Sequence, residues 1–143
     1  MKIIIMLNLI LAIVTACDPI DDRLKIVNDS NDTVYYLITE FENLERMYDP
    51  DLAANGINIT YKNYVYELAG KASKKHVKTG SVKAWEDYIE KVCENKKLKV
   101  FIFDKEMLRS HSWKEIVEDG YFQERKSFSL DDIKDMDWEI VLE

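Results

Sequence analysis

The run Leu98-Lys99-Val100-Phe101-Ile102-Phe103 decides how this chain folds. It is apolar at every position but one, with Lys99 as its only charge, as a central strand would be. Downstream, Asp104 is placed to cap a single turn through Leu108. Ser112-Trp113-Lys114-Glu115 is a capping box that opens a short helix carrying Ile116 and Val117, and Gly120 stands where that helix should end. Residues 121–128 read as a strand. Ser129-Leu130-Asp131-Asp132 caps another helix, with Phe128 and Ile133 at the two positions of a hydrophobic staple, and residues 138–142 form a last strand. Upstream, Ser81 is placed to cap a helix whose apolar positions Val82, Trp85, Tyr88, Ile89, Val92 and Cys93 recur at helical spacing, and Asn95 ends it.

Nearer the N-terminus, residues 24–27 and 33–38 are β-rich runs on either side of Asn28-Asp29-Ser30-Asn31-Asp32, a cluster of turn formers, and they read as a hairpin. In the second run Val34, Tyr36 and Ile38 share one face and Tyr35 and Leu37 the other, so at least one face meets a second layer. Thr39-Glu40-Phe41-Glu42 fits a capping box, with Phe41, Leu44 and Tyr48 as a helical stripe that Asp49-Pro50-Asp51 ends; Asn55-Gly56 is a turn. Residues 61–68 look like a strand. Residues 69–80, with Lys71, Lys74, Lys75, His76 and Lys78, read as an exposed loop with a short strand around 76–78. Strands first, then alternating helices and strands, predict an α+β fold: an N-terminal β-hairpin and further strands in a mixed or antiparallel sheet, with two to three short helices in the C-terminal half. Trp85, Ile89, Val92, Val100, Ile102, Trp113, Ile116 and Trp138 are the expected core, buried and mutually packed.

The chain has 143 residues, 47% apolar, 33% charged and 11% aromatic, with a formal net charge of -7. That is one domain's length and far too apolar for intrinsic disorder. Nucleic acid is a poor partner for so acidic a chain without a basic stripe. The average hides an asymmetry at the N-terminus. Lys2 precedes an apolar run over residues 3–14 broken only by Asn8, too short to span a bilayer as a helix, and Asp18-Pro19-Ile20-Asp21-Asp22 then turns abruptly polar. This divides the chain into a signal peptide over 1–16, a tether over 17–23 and one globular domain over 24–143.

Val14-Thr15-Ala16-Cys17 resembles the lipobox of bacterial lipoproteins. The resemblance implies diacylglyceryl transfer to the sulfur of Cys17, cleavage before it, and durable anchoring by two or three acyl chains. It places the protein in the bacterial cell envelope, at the outer membrane, periplasmic or surface-exposed. Asp18, Asp21 and Asp22 resemble the acidic export signals of Bacteroidetes lipoproteins, although an aspartate directly after the cysteine also resembles an inner-membrane retention signal, which leaves the leaflet open. Asp32-Thr33-Val34 resembles the O-glycosylation sequence of Bacteroidetes exported proteins, with Thr33 as acceptor. More widely, Leu24-Lys25-Ile26-Val27-Asn28-Asp29-Ser30 leading to Val34-Tyr35-Tyr36, then residues 98–104, Ser112-Trp113, and Ser129-Leu130 leading to Trp138, look like a group of small Bacteroidetes lipoproteins. That group carries no established activity to transfer. With Cys17 lipidated, Cys93 has no partner within the chain and acts as a small hydrophobe.

Catalytic chemistry finds little support. His111, between Ser110 and Ser112, lacks a Gly-x-Ser-x-Gly elbow. No Cys or His pair has zinc spacing, and the acidic clusters at 29–32 and 49–51 miss the calcium-loop pattern, so neither metal nor cofactor is expected. Asn28, Asn31 and Asn58 begin Asn-x-Ser/Thr triplets, which matter only in a secretory pathway that reads them. The lysine-rich stretch 71–78 is either a solvated loop or a docking patch for an anionic glycan or partner. The expected function is a non-enzymatic, lipid-anchored envelope binding or accessory module, with the membrane engaged through the lipid on Cys17 and an envelope protein or glycan as partner. Two alternatives are an envelope inhibitor or immunity protein, and a small hydrolase acting through His111 or a carboxylate pair.

Overall fold

The computed structural model describes residues 19–143, so the expected signal peptide over 1–16, the lipobox-like Val14-Thr15-Ala16-Cys17 and the expected lipidation at Cys17 lie outside the described residues. Within them the fold is α+β, with nine strands in three sheets and five short α-helices. In chain order the first strands are β1 (Ile20–Asp21), β2 (Lys25–Asn28) and β3 (Val34–Thr39), followed by α1 (Pro50–Ala54). Next come β4 (Tyr66–Leu68), β5 (Ser73–Lys75), β6 (Lys78–Thr79), α2 (Ala84–Lys91) and β7 (Lys97–Phe103). The chain closes with α3 (Lys105–Ser110), α4 (Trp113–Asp119), β8 (Glu124–Ser129), α5 (Leu130–Asp135) and β9 (Glu139–Leu142). Four helices therefore stand in the C-terminal half, because the turn capped by Asp104 runs on to Ser110.

The apolar run at 98–103 is a central strand. β7 pairs antiparallel with β3 on one side and β8 on the other, and β4 completes the four-stranded sheet beyond β3. Its alternation feeds two cores. Leu98, Val100 and Ile102, with Tyr36 of β3, face Trp85 and Ile89 of α2 and the apolar side of a three-stranded sheet. In that sheet β2 pairs antiparallel with β5 and parallel with β9. Phe101 and Phe103, with Tyr35 and Leu37, face Trp113, Ile116 and Val117 of α4 on the other side. A strand buried on both faces has no polar face, as the sequence of β7 displays.

Several expectations are corrected. Residues 24–27 and 33–38 form no hairpin, because β2 and β3 belong to different sheets. The turn formers between them are organised by Asn28, whose buried Nδ2 donates to the carbonyls of Asp32 (2.7 Å), Leu68 (3.0 Å) and Ala69 (3.1 Å). Its Oδ1 accepts from the Ser30 amide (3.0 Å) and hydroxyl (2.7 Å). The turn thus carries the chain between layers, a choice that local turn chemistry does not encode. Gly70 lies so close to this turn that a Cβ there would sit 2.2 Å from the Asn31 carbonyl oxygen.

The Phe41 stripe supports only a 3-10 turn over Leu44–Met47. Asp49-Pro50 opens α1 instead of ending a helix: Asp49 accepts from the amides of Asp51 (2.9 Å) and Leu52 (3.3 Å), and Pro50 occupies the first turn. Residues 61–68 hold a 3-10 turn at Tyr61–Asn63 before the short β4, and β8 begins at Glu124, later than expected. The expected core splits between the two faces, since Trp113 and Ile116 never meet Trp85. Val92 is 53% exposed. Trp138 is half-buried beneath the Arg23 guanidinium, 4.0 Å from its ring centre.

Lys99, the one charge in the decisive run, is fully buried. Its ammonium donates to the carbonyls of Glu94 (3.0 Å) and Lys97 (2.7 Å) and pairs with Glu42 Oε1 at 2.9 Å. Asn95 and Arg125 also bond Glu42, which satisfies the buried charge with several partners at once. The Lys99 and Asn95 bonds hold the Glu42 carboxyl below its ordinary range.

Candidate functional site

The residues expected as the end of the tether belong to the body. β1 pairs antiparallel with β6, Ile20 opposite Thr79 and Asp21 opposite Lys78, and the Gly80 amide donates to the Pro19 carbonyl at 3.0 Å. Ile20 points outward and Asp21 inward, where its carboxylate is buried. Asp21 accepts from Arg23 Nε (2.9 Å) and Nη2 (2.8 Å) and from the Trp85 amide (3.0 Å). Burial alone would raise this carboxyl, but the Arg23 and Trp85 bonds outweigh it and hold it below the usual range. The expected cap, Ser81, instead accepts from the Lys83 amide at 3.1 Å. Asp21 satisfies the second amide of α2 from 64 residues away.

This docking sets one wall of a concave region formed by two clefts. Two adjoining clefts of about 390 and 420 Å³ flank the side chains of Lys78 and Tyr88, which line both. The Lys78 ammonium lies 3.2 Å from the centre of the Tyr88 ring and 5.0 Å from that of Trp85. Tyr88 donates its hydroxyl to Glu40 Oε2. Among the described residues no carboxylate oxygen lies within 4.0 Å of the Lys78 ammonium. Burial pushes Lys78 below its ordinary value, a shift that Glu40 opposes. Burial also keeps the Tyr88 hydroxyl protonated far above its usual range, and it raises the nearby Cys93 thiol to about 11, so that thiol is an unreactive packing group.

His76 closes the floor of the larger cleft. It is buried, its Nε2 lies 2.8 Å from the Tyr36 hydroxyl, and Tyr66 meets the ring edge-on at 4.7 Å. Its backbone amide donates to Leu24 O (2.8 Å) and its carbonyl accepts from the Trp85 indole (3.1 Å). Burial, aided by Lys74, lowers its pKa to about 4, so the imidazole is neutral in the folded protein. The unfolded chain binds a proton near the ordinary 6.5, so stability is full above about pH 6.5 and falls as pH drops toward 4. The expected loss from this residue is about 3 kcal/mol across that interval. Urea titrations between pH 7.5 and 4.5 should show this slope, and His76→Gln should flatten it. An equal slope in both proteins would assign the acid sensitivity elsewhere.

The lysine-rich stretch is more ordered than an exposed loop. It contributes β5 and β6, and its cations are separately engaged: Lys71 with Asp29 (3.2 Å), Lys75 with Asp22 (2.9 Å), and Lys74 over Tyr66 at 4.9 Å. Lys78 is the lysine of this stretch that lines both clefts; Lys74 and Lys75 line only the larger of the two. The other sequence-marked residues lie apart from it. His111 is exposed at the end of α3, 5.0 Å from the Tyr121 ring centre, and the adjacent Ser110 hydroxyl donates to Glu106 O at 2.7 Å. Thr33 is exposed just before β3, on the rim of a separate cleft of about 350 Å³. Asn31 and Asn58 are exposed, whereas Asn28 is fully buried. No group of three or more His, Cys, Asp or Glu among the described residues is placed to hold a metal ion.

Glu40, Lys78 and Tyr88 escape a reading of the sequence. Tyr88 follows the helical stripe of α2 like any packing residue, and Lys78 sits in a run of lysines. Only the pairing of β6 with β1 separates Lys78 from its neighbours. No family model matches the chain, and no curated protein or solved structure matches it.

Proposed function

We propose that this chain is a lipid-anchored binding module of the bacterial cell envelope, non-enzymatic, which receives an anionic group in the cleft between Lys78 and Tyr88. The observation that carries this reading is the Lys78 ammonium, half-buried against two aromatic rings and without a carboxylate in contact among the described residues. A cation so placed has exchanged part of its hydration for two ring faces and the more distant charge of Glu40, and a phosphate or carboxylate restores charge-assisted bonds. Trp85 and Tyr88 supply the apolar side of the site, and the Lys74 and Lys75 side chains line its outer wall. The lipobox resemblance at Val14-Thr15-Ala16-Cys17 supports the envelope location and the anchor on Cys17.

Titration with inorganic phosphate at constant ionic strength, followed by amide NMR, tests the cleft. Saturable shifts are expected at residues 76–81 and 88, and Lys78→Gln should weaken the apparent affinity at least tenfold. Uniform small shifts over the whole surface, or equal binding by Lys78→Gln, would overturn the assignment.

A further inference from the structure

We infer that the body lies against the bilayer by the face that holds this cleft, and that the anionic group it receives is the phosphodiester of an anionic phospholipid. The inference rests on the lipid-anchor reading of Cys17. Pro19 is hydrogen-bonded to Gly80 on the rim of the cleft, and Cys17 precedes it by two residues. Two residues reach about 7 Å at full extension, so an acylated Cys17 holds this rim at headgroup depth.

Four of the seven exposed aliphatic side chains among the described residues belong to the segments around this cleft, the others being Leu52, Ile57 and Val141. Ile20 (55% exposed) lies on the outward side of the β1–β6 ribbon, Val77 (55%) precedes β6 and lines the larger cleft, Val82 (67%) follows on the segment into α2, and Val92 (53%) lines the smaller cleft. None contributes to either core. Exposed singly, such side chains need no explanation; three valines and an isoleucine on the segments nearest the lipid form an apolar surface suited to shallow interfacial insertion.

Charge then selects the contact. A protein of net charge -7 is repelled by an anionic leaflet unless it presents a locally cationic face. Here Asp22 and Asp87 pair with Lys75 and Lys91, Glu40 is bonded to the Tyr88 hydroxyl, Glu90 is exposed on α2, and Lys78 and Lys83 remain without a carboxylate in contact among the described residues. Lys78, on the inward side of the ribbon with Asp21, opens into the cleft that Val92 also lines and is positioned there for a headgroup phosphate, and Lys83 adds a second positive charge beside Val82.

The test uses the mature lipoprotein reconstituted into vesicles, with an environment-sensitive fluorophore on Val82→Cys or Ile57→Cys. Ile57 is exposed in the loop that reaches the opposite core through Ile59, and buried Cys93 escapes labelling. In phosphatidylglycerol-containing vesicles the label at 82 should shift to the blue and be quenched by spin-labelled lipid, while the label at 57 should not. Lys78→Gln or purely phosphatidylcholine vesicles should at least halve the quenching at 82. Equal behaviour of the two labels in a protein whose intact mass shows an acylated Cys17 overturns the membrane-facing inference and leaves the anchor standing. Quenching at 82 that is indifferent to Lys78→Gln and to lipid charge overturns the phosphodiester assignment. A mass showing an intact Met1 terminus or an unmodified Cys17 thiol, or membrane retention unchanged in Cys17→Ser, overturns the anchor itself.

Discussion

Truncation of Trp85 to alanine is expected to lower the free energy of unfolding by about 3–5 kcal/mol, the range for a large buried aromatic. Trp85 is 4% exposed and packs in the same core as Tyr36, Ile89, Leu98 and Ile140, so its loss opens a cavity bounded by the four-stranded sheet, the three-stranded sheet and α2. It also strands a polar group. The indole donates to the His76 carbonyl at 3.1 Å, and without it that buried acceptor loses its side-chain partner. Trp85→Phe separates the two effects, because it keeps most of the volume and drops the donor; a cost of about 1–2 kcal/mol is expected. Urea denaturation at pH 7.5 measures both. A change of only a few tenths for Trp85→Ala would mean that α2 does not seal this core.

The second large effect is expected at Asp21. Asp21→Ala should cost about 3 kcal/mol, because it leaves the Arg23 guanidinium without its bidentate partner and the Trp85 amide without its acceptor. Arg23 retains Glu86 at 3.1 Å and the face of Trp138, which moderates the loss. Asp21→Asn should cost about 1–2 kcal/mol, since an amide oxygen still accepts from Trp85 but carries no charge for Arg23. Hydrogen exchange adds a local readout: the first turn of α2 and the β1–β6 pairing should lose protection together. Full stability in Asp21→Ala would show that residues 20–23 are a solvated tether after all.

The elements that the sequence displayed well are those whose signal is local. Ser112 with Glu115 and Ser129 with Asp132 form capping boxes as read, Gly120 takes the left-handed conformation that ends α4, and Asp104 caps α3. Each of these rests on contacts within four residues, so neighbouring letters suffice to specify them. The helical stripe of α2 was legible for the same reason, but its edges were not. Val82 and Val92 satisfy the period and still face solvent, because hydrophobic spacing does not say how far the covering sheet extends.

The cleft was legible only in fragments. Its lysines were visible as a stretch, its aromatics as apolar positions, and its histidine as one of two in the chain. Nothing local distinguishes Lys78 from Lys74 or His76 from His111. In the folded protein His76 is sealed under Tyr66 and Lys78 is turned onto Tyr88, whereas Lys74 and His111 stay exposed.

The sequence by itself determined the α+β class, the central strand read at 98–103 and the capped helices around it, because periodicity and capping act within a turn or a strand. Only the tertiary structure decided that β2 leaves β3 to pair with β9, more than 100 residues away, that Asp21 caps a helix it never adjoins, and that Lys99 can be buried in a network drawn from Glu42, Glu94 and Lys97. Those choices are settled by which distant partners satisfy a buried amide, carbonyl or charge. That condition is met only when the whole core closes, and no window of sequence contains it.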